Sequence, residues 1–209
     1  MARPDWFLDW TGEACAIVAS GPSTRHVNYP AIEGRLRTIA IKENIEICPW
    51  AEMVYGCDLA FWRNNDGLPG YRGLKVAYKS PCDEVKTIRI DKDQDRLLTD
   101  EPGLIGSGGN SGFQALNLAI QFGAKRILLV GFDVSDQHGV HWFGPAVGAG
   151  RAQPSEWNFK RWRVAFAMAA TQVRGLGVQV LNASPFTSLT CFPKVTLEDA
   201  LKEWQLDGS

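Results

Sequence analysis

Asp133, Asp136, His138 and His141 crowd into one short stretch, Asp133-Val134-Ser135-Asp136-Gln137-His138-Gly139-Val140-His141-Trp142-Phe143-Gly144. Imidazole titrates near neutrality and can take a proton from a hydroxyl. The His-x-x-His spacing with two Asp nearby can instead ligate a divalent ion, and either ring can be plain structure. His141 is the first choice for a base and His138 the second. Trp142 and Phe143 can stack on a sugar or a nucleobase, or anchor the loop to the core. Further on, Arg151, Lys160, Arg161 and Arg163 are cations able to neutralise phosphate.

Two glycine-bearing turns have the chemistry of anion cradles. The run Ala16-Ile17-Val18-Ala19 enters Ser20-Gly21-Pro22-Ser23, where Gly21 permits close backbone approach, Pro22 suits a first helical position and Ser23 can face an anion. The GxGxxG spacing is missing and no Gly-Lys-Ser/Thr follows, so this is neither a dinucleotide fingerprint nor a P-loop. Alone, a strand with a Gly-Pro turn can equally serve to reverse the chain. The second turn, Gly106-Ser107-Gly108-Gly109-Asn110-Ser111-Gly112, opens a helix whose free amides can bind an anion. That helix leads to a strand ending Val130-Gly131-Phe132-Asp133, and Gly131 with Asp133 stands where a parallel strand presents groups to a ligand.

Short continuous apolar runs at 14–19, 38–41, 59–62, 75–77, 87–90, 126–130 and 178–181 read as strands buried on both faces, hence a parallel sheet. Helices are expected at 111–122, ending at Gly123, at 157–174, and from a Thr-x-x-Asp cap at Thr196. Trp157, Trp162, Arg161 and Arg163 read as a core stripe with a solvated basic face on the second of these. The fold class is α/β: one variant Rossmann-like domain over 1–209, a mostly parallel sheet flanked by helices, with a lid-like insertion at about 135–156. The run Asp91-Lys92-Asp93-Gln94-Asp95-Arg96 reads as a solvated loop.

Composition narrows the class. With 209 residues, 45% hydrophobic and 22% charged, the chain is an ordinary globular protein with a core. A net charge of -1 gives no general attraction to nucleic acid. The five scattered cysteines include no CxxC pair and read as free thiols, mostly buried. No apolar run is long enough for a bilayer and MARPDWFLDW lacks a signal-peptide core, so the expectation is a cytoplasmic protein with no membrane partner.

The ordered set Val18-Ala19-Ser20-Gly21-Pro22-Ser23, Asn110-Ser111-Gly112 and Leu129-Val130-Gly131-Phe132-Asp133, with Asn182-Ala183-Ser184-Pro185 near the end, resembles bacterial sialyltransferase-like and motility-accessory-factor-like glycosyltransferases and related phage proteins of unassigned role. The resemblance implies a metal-independent transferase without a resident cofactor, whose nucleotide-activated sugar is a substrate. It implies that Asn44, after the second strand, contacts the nucleotide together with Ser111 and Gly112; Asn44 as a turn residue is the alternative. The family's catalytic His lies well past the Gly-x-Asp strand, whereas His138 and His141 follow it at once, and the Tyr residues that help the leaving phosphate have no clear counterpart.

The expected nucleotide contacts are thus Gly21, Pro22, Ser23, Asn44, Ser107, Asn110, Ser111, Gly112, Gly131 and Asp133, with His141 or His138 as base and no metal ligands. The acceptor is an unknown hydroxyl, a modified nucleobase in DNA among the candidates, and homo-oligomerisation is open. Two alternatives stand beside this: a pterin-type diphosphokinase using ATP and Mg, and a nucleotide-binding protein without catalysis.

Overall fold

The computed structural model describes residues 3–145 and 153–206. Seven strands form one parallel sheet: β1 (Ala14–Val18), β2 (Arg37–Ile41), β3 (Met53–Gly56), β4 (Leu74–Ala77), β5 (Lys86–Thr87), β8 (Arg126–Val130) and β9 (Gln179–Asn182), in the order β5-β4-β3-β2-β1-β8-β9. β6 (Arg89–Asp91) and β7 (Leu104–Gly106) form a separate parallel pair. The helices are α1 (Leu59–Asn64), α2 (Ser111–Gln121), α3 (Glu156–Gly175) and α4 (Leu197–Glu203).

β1 is central and all five of its residues are buried, which is why Ala-Cys-Ala-Ile-Val reads as an unbroken apolar run. Alternate residues face opposite layers. Cys15, Ile17, Ile39, Ile127 and Leu129 pack with α2 and α3, through Phe113, Leu116, Phe166 and Val173. Ala16, Val18, Ala40, Leu128 and Val130 face the other way, against Ile32, Leu36, Phe61, Trp62, Leu197 and Leu201. Neither layer could stay buried without the other, so the sheet is sandwiched between helices.

The chain winds outward from β1 through β2, β3, β4 and β5, then returns to place β8 on the other side of β1. The direction of winding therefore reverses between β1 and β8. At such a switch point the loops leaving the two strands diverge and open a crevice at their carboxyl ends.

α2 begins where expected: Asn110 Oδ1 accepts the Phe113 N–H at 2.8 Å. Its polar residues have a further task. Asn117, fully buried, accepts the N–H groups of Leu98 (2.9 Å) and Gly106 (3.0 Å), while Gln121 donates to the Leu98 and Leu104 carbonyls. Amide side chains on one helix face thus hold β7 in place.

Several expectations are corrected. Residues 59–62 are helical, within α1, and the buried Phe61 and Trp62 make this short helix as apolar as a strand. The expected strand at 87–90 is divided between β5 and β6, which belong to different sheets. β3 and β7 were not expected at all; their three- and four-residue lengths give no period to read. The Asp91 to Arg96 run is tied down, since Gln94 O accepts the Ser107 N–H at 2.7 Å and Asp95 pairs with Arg161 at 2.7 Å. Trp157 is 65% exposed, and the buried stripe of α3 is instead Phe159, Ala165, Phe166, Ala169, Ala170 and Val173. Of the five cysteines, all free, Cys15 and Cys48 are buried, Cys57 and Cys191 partly so, and Cys82 is exposed. Among the described residues no helix is long and apolar enough to cross a membrane.

Candidate functional site

The crevice at the switch point is a cleft of about 500 Å3. Its floor is made by two turns that touch. Gly21 N–H donates to Gly131 O at 3.0 Å, extending the β1–β8 pairing past both strands. A Cβ on Gly21 would lie 2.5 Å from that oxygen and 2.8 Å from Asp133 Cγ, and Gly131 has φ +74 with Ala19 and Thr24 packed against it. Both glycines are therefore required for the turns to meet.

Of the residues expected from sequence, Gly21, Ser107, Asn110, Ser111, Gly112, Gly131, Asp133 and His141 line this cleft. Four do not. Ser23 is fully buried, its N–H on Asp133 Oδ2 (2.8 Å) and its Oγ accepting the Phe186 N–H (2.9 Å). Pro22 starts the 3-10 turn Pro22–His26 that carries Ser23. His138 is exposed and stacked on Phe186, with centroids 4.2 Å apart. Asn44 is buried, donating to Ile41 O (2.7 Å) and accepting the Trp142 indole N–H (2.9 Å).

The second turn is shaped from within. Gly108 (φ +54) lies against the Phe113 ring and Gly109 (φ +72) offers its carbonyl to the Trp162 indole N–H at 2.8 Å. Gln114 joins the buried Tyr55 hydroxyl (2.9 Å) to Ser107 O (2.9 Å). The Ser111 hydroxyl accepts the Cys57 N–H at 3.2 Å. With Phe113 N–H taken by Asn110, the amides of Ser111 and Gly112 are those for which α2 has no internal acceptor, at the positive end of its dipole.

Asp133 lines the same cleft and is only 2% exposed. One carboxyl oxygen holds the Ser23 N–H; the other, Oδ1, is buried and has no hydrogen-bond partner among the described residues. Burial raises its pKa above the ordinary value, against the opposing effect of the Ser23 hydrogen bond. An unsatisfied buried acceptor is costly unless a ligand supplies the donor.

Contacts with Ser20 and Phe143 help orient His141. Ser20 Oγ is 2.9 Å from Nδ1, and the ring lies parallel to Phe143 at 5.0 Å. Its loop is held down by Trp142, whose N–H donates to Ser20 O (2.8 Å), whose indole reaches Asn44, and whose ring lies under the Arg25 guanidinium at 5.3 Å. Trp142 and Phe143 therefore anchor the loop in this structure.

Sequence reasoning missed Lys42, Cys57 and Asp58, and read the cleft-lining Trp162 as part of a core stripe. Lys42 pairs with Asp58 at the cleft, with a backbone in the left-handed region (φ +53). Val134, also lining the cleft, is a β-branched residue at φ +52, its carbonyl held by Ser188 (2.8 Å) and Arg163 (3.1 Å). Such strain clusters at functional sites. Cys57 and Asp58 follow β3, so missing that strand meant missing them. Arg161 and Arg163 are engaged by Asp95 and by Glu156 with Val134 O, Lys160 is exposed outside the cleft lining, and Arg151 lies outside the described residues. Among the described residues no group of three or more His, Cys, Asp or Glu is placed to hold a metal ion.

No protein-family model matches the sequence, and no curated protein is similar to it at the sequence level. Solved structures do share the architecture. The sialyltransferase CstII from Campylobacter jejuni, in complex with cytidine-5'-monophosphate, superposes with a TM-score of 0.55 at 11% identity, over 94% of this chain and 99% of that one. The sialyltransferase CST-II in complex with a trisaccharide acceptor and CMP gives a TM-score of 0.51 at 10% identity, over 93% of this chain and 99% of that one. The fold is accordingly an α/β Rossmann-like sheet of the kind that CstII has.

Proposed function

We propose that this chain is a glycosyltransferase that takes a sugar from a nucleotide-activated donor and delivers it to a hydroxyl acceptor. The observation that carries the reading is the cleft at the β1–β8 switch point, lined both by Ser111 and Gly112 at the start of α2 and by Asp133, whose Oδ1 has no partner among the described residues. Likeness of fold to an enzyme solved with CMP supports it.

In this reading the donor's phosphate lies at the α2 N-terminus, where the amides and the helix dipole favour an anion. Lys42 adds a full positive charge on exchanging Asp58 for phosphate. Asp133 Oδ1 accepts a ribose hydroxyl, which supplies its missing partner. Gly21 and Gly131 keep Cβ atoms out of the floor. Asn44 acts through Trp142 by holding the His141 loop, and touches no ligand itself.

His141 serves as the base. With Nδ1–H donating to Ser20 Oγ, Nε2 carries the lone pair. The acceptor hydroxyl gives its proton to Nε2 as its oxygen bonds to the anomeric carbon. The bond from that carbon to the phosphate oxygen breaks, and the electron pair leaves with the nucleotide. Amides aimed at the phosphate stabilise that developing charge, so the step needs no metal.

Donor turnover is the test. Incubation with CMP-, UDP- and GDP-activated sugars, with free nucleotide measured by chromatography, is expected to show release from one donor class, undiminished by EDTA and lost in His141→Ala. Failure to bind or cleave any of these donors would overturn the reading.

A further inference from the structure

We infer that the outer face of α3 is a homodimer interface, in which two copies of the chain pack this helix antiparallel about a two-fold axis near position 166. The inference is independent of the proposed activity.

Among the described residues the exposed large hydrophobics are Trp157 (65%), Val164 (55%), Met168 (49%) and Leu176 (37%). All four lie on α3 or at its C-cap. Scattered exposed apolar residues need no explanation, but the sharing of one helix stripe by Trp157, Val164 and Met168 does. Trp157, Arg161, Val164, Met168, Thr171 and Gly175 follow one another at alternating steps of four and three, the seam of a helix that packs on another helix. The opposite face, with Phe166, Ala169 and Val173, is already buried on the sheet.

What should cover the seam is given by its own symmetry. Reversing the helix about position 166 puts Trp157 opposite Gly175, Arg161 opposite Thr171 and Val164 opposite Met168. The largest side chain thus meets a position with none, and a Cβ at Gly175 would find open space. Ala167 beside the axis is exposed and small enough for close approach. Glu156, which pairs with Arg163 of its own chain and keeps its side chain 70% exposed, comes within reach of the exposed Arg174 of the second copy, and two-fold symmetry repeats that pair. A surface complementary to itself in size and charge describes an isologous contact.

Sedimentation equilibrium on the full chain tests the proposal. A single helix pair is a small interface, so the expected result is a dimer at about 100 µM that dissociates towards about 1 µM. Val164→Glu combined with Met168→Glu should give a monomer throughout, with an unchanged circular dichroism spectrum because both positions are exposed. Glu156→Arg should weaken the dimer, and Glu156→Arg with Arg174→Glu should restore it. Should the first pair fail to fold, the charge reversal decides alone. A monomer at every concentration, or association indifferent to these substitutions, overturns the interface. Loss without rescue by the double reversal overturns its antiparallel register.

Discussion

Ser20 Oγ and His141 Nδ1 lie 2.9 Å apart, although 121 residues separate them in the chain. The contact joins the turn after β1 to the loop after β8, and Trp142 N–H on Ser20 O reinforces it at 2.8 Å. In the proposed mechanism Nδ1–H donates to Ser20 Oγ and Nε2 takes the acceptor's proton. His141→Ala should lower kcat by about 10²- to 10⁴-fold, the usual worth of a general base, with little change in nucleotide Kd. Ser20→Ala should cost on the order of tenfold in kcat, since it disorients the ring but leaves it present. Steady-state kinetics with calorimetric Kd values separate the two effects; a loss of nucleotide affinity that tracks the loss of kcat would contradict these roles.

The two glycine turns should respond differently to substitution. A side chain at Gly112 would press on the Phe132 ring at 2.8 Å and on Asn110 Oδ1 at 3.1 Å, beside the amides proposed to hold phosphate. Gly112→Val is therefore expected to weaken nucleotide binding at least tenfold. Gly21→Ala would instead separate the β1 and β8 turns, and is expected to cost about 1–3 kcal/mol of stability, as overpacking does. Thermal melts and nucleotide titrations on both variants check the distinction.

How far these turns could be read from sequence depends on their length. Ser107 to Gly112 precedes an eleven-residue helix with a capping Asn110, and each signal agrees with the others. β1 is a continuous apolar run of five and β8 has four apolar residues after Arg126, and both are legible for the same reason. β3 has four residues and β7 three, too short to show a period, and Phe61-Trp62 in α1 is apolar enough to pass for a strand. Lys42 and Asp58 were hidden with them, because their proximity depends on β2 and β3 being neighbours. Ser23 and Asn44 are expected as nucleotide contacts and His138 as a base for their chemistry, and packing gives each a protein partner that the sequence does not show.

Asp133 makes stability depend on pH in a definite direction. Burial raises its pKa in the folded protein above 3.8, so the native state holds its proton more tightly than the unfolded chain. That contribution is fully present below the unfolded value and is lost as pH rises through the folded one. Asp133→Asn should flatten the stability profile in that window, measured by denaturant unfolding at successive pH values. It should also reduce affinity for ribonucleotides more than for 2′,3′-dideoxy analogues, which carry no ribose 2′- or 3′-hydroxyl; equal loss for both would contradict the ribose contact.

Cys57 gives a probe inside the cleft. Its thiol is pushed up to about 11, first by burial and next by Asp58, against the influence of Lys42 and Lys92. At neutral pH little thiolate forms, so alkylation at Cys57 should lag behind that at the exposed Cys82 and accelerate as pH approaches 11. Bound nucleotide should slow modification of Cys57 and leave Cys82 unaffected, as read by peptide mass spectrometry.

The central claim is that this cleft holds a nucleotide by its phosphate at the start of α2. Isothermal titration of the wild-type protein with cytidine, uridine and guanosine monophosphates, beside the matching nucleosides, tests it most directly. The account predicts that one monophosphate binds at least tenfold more tightly than its nucleoside, and that Gly112→Val removes the difference. A nucleoside binding as tightly as its monophosphate, or no binding by any of the six, would contradict it.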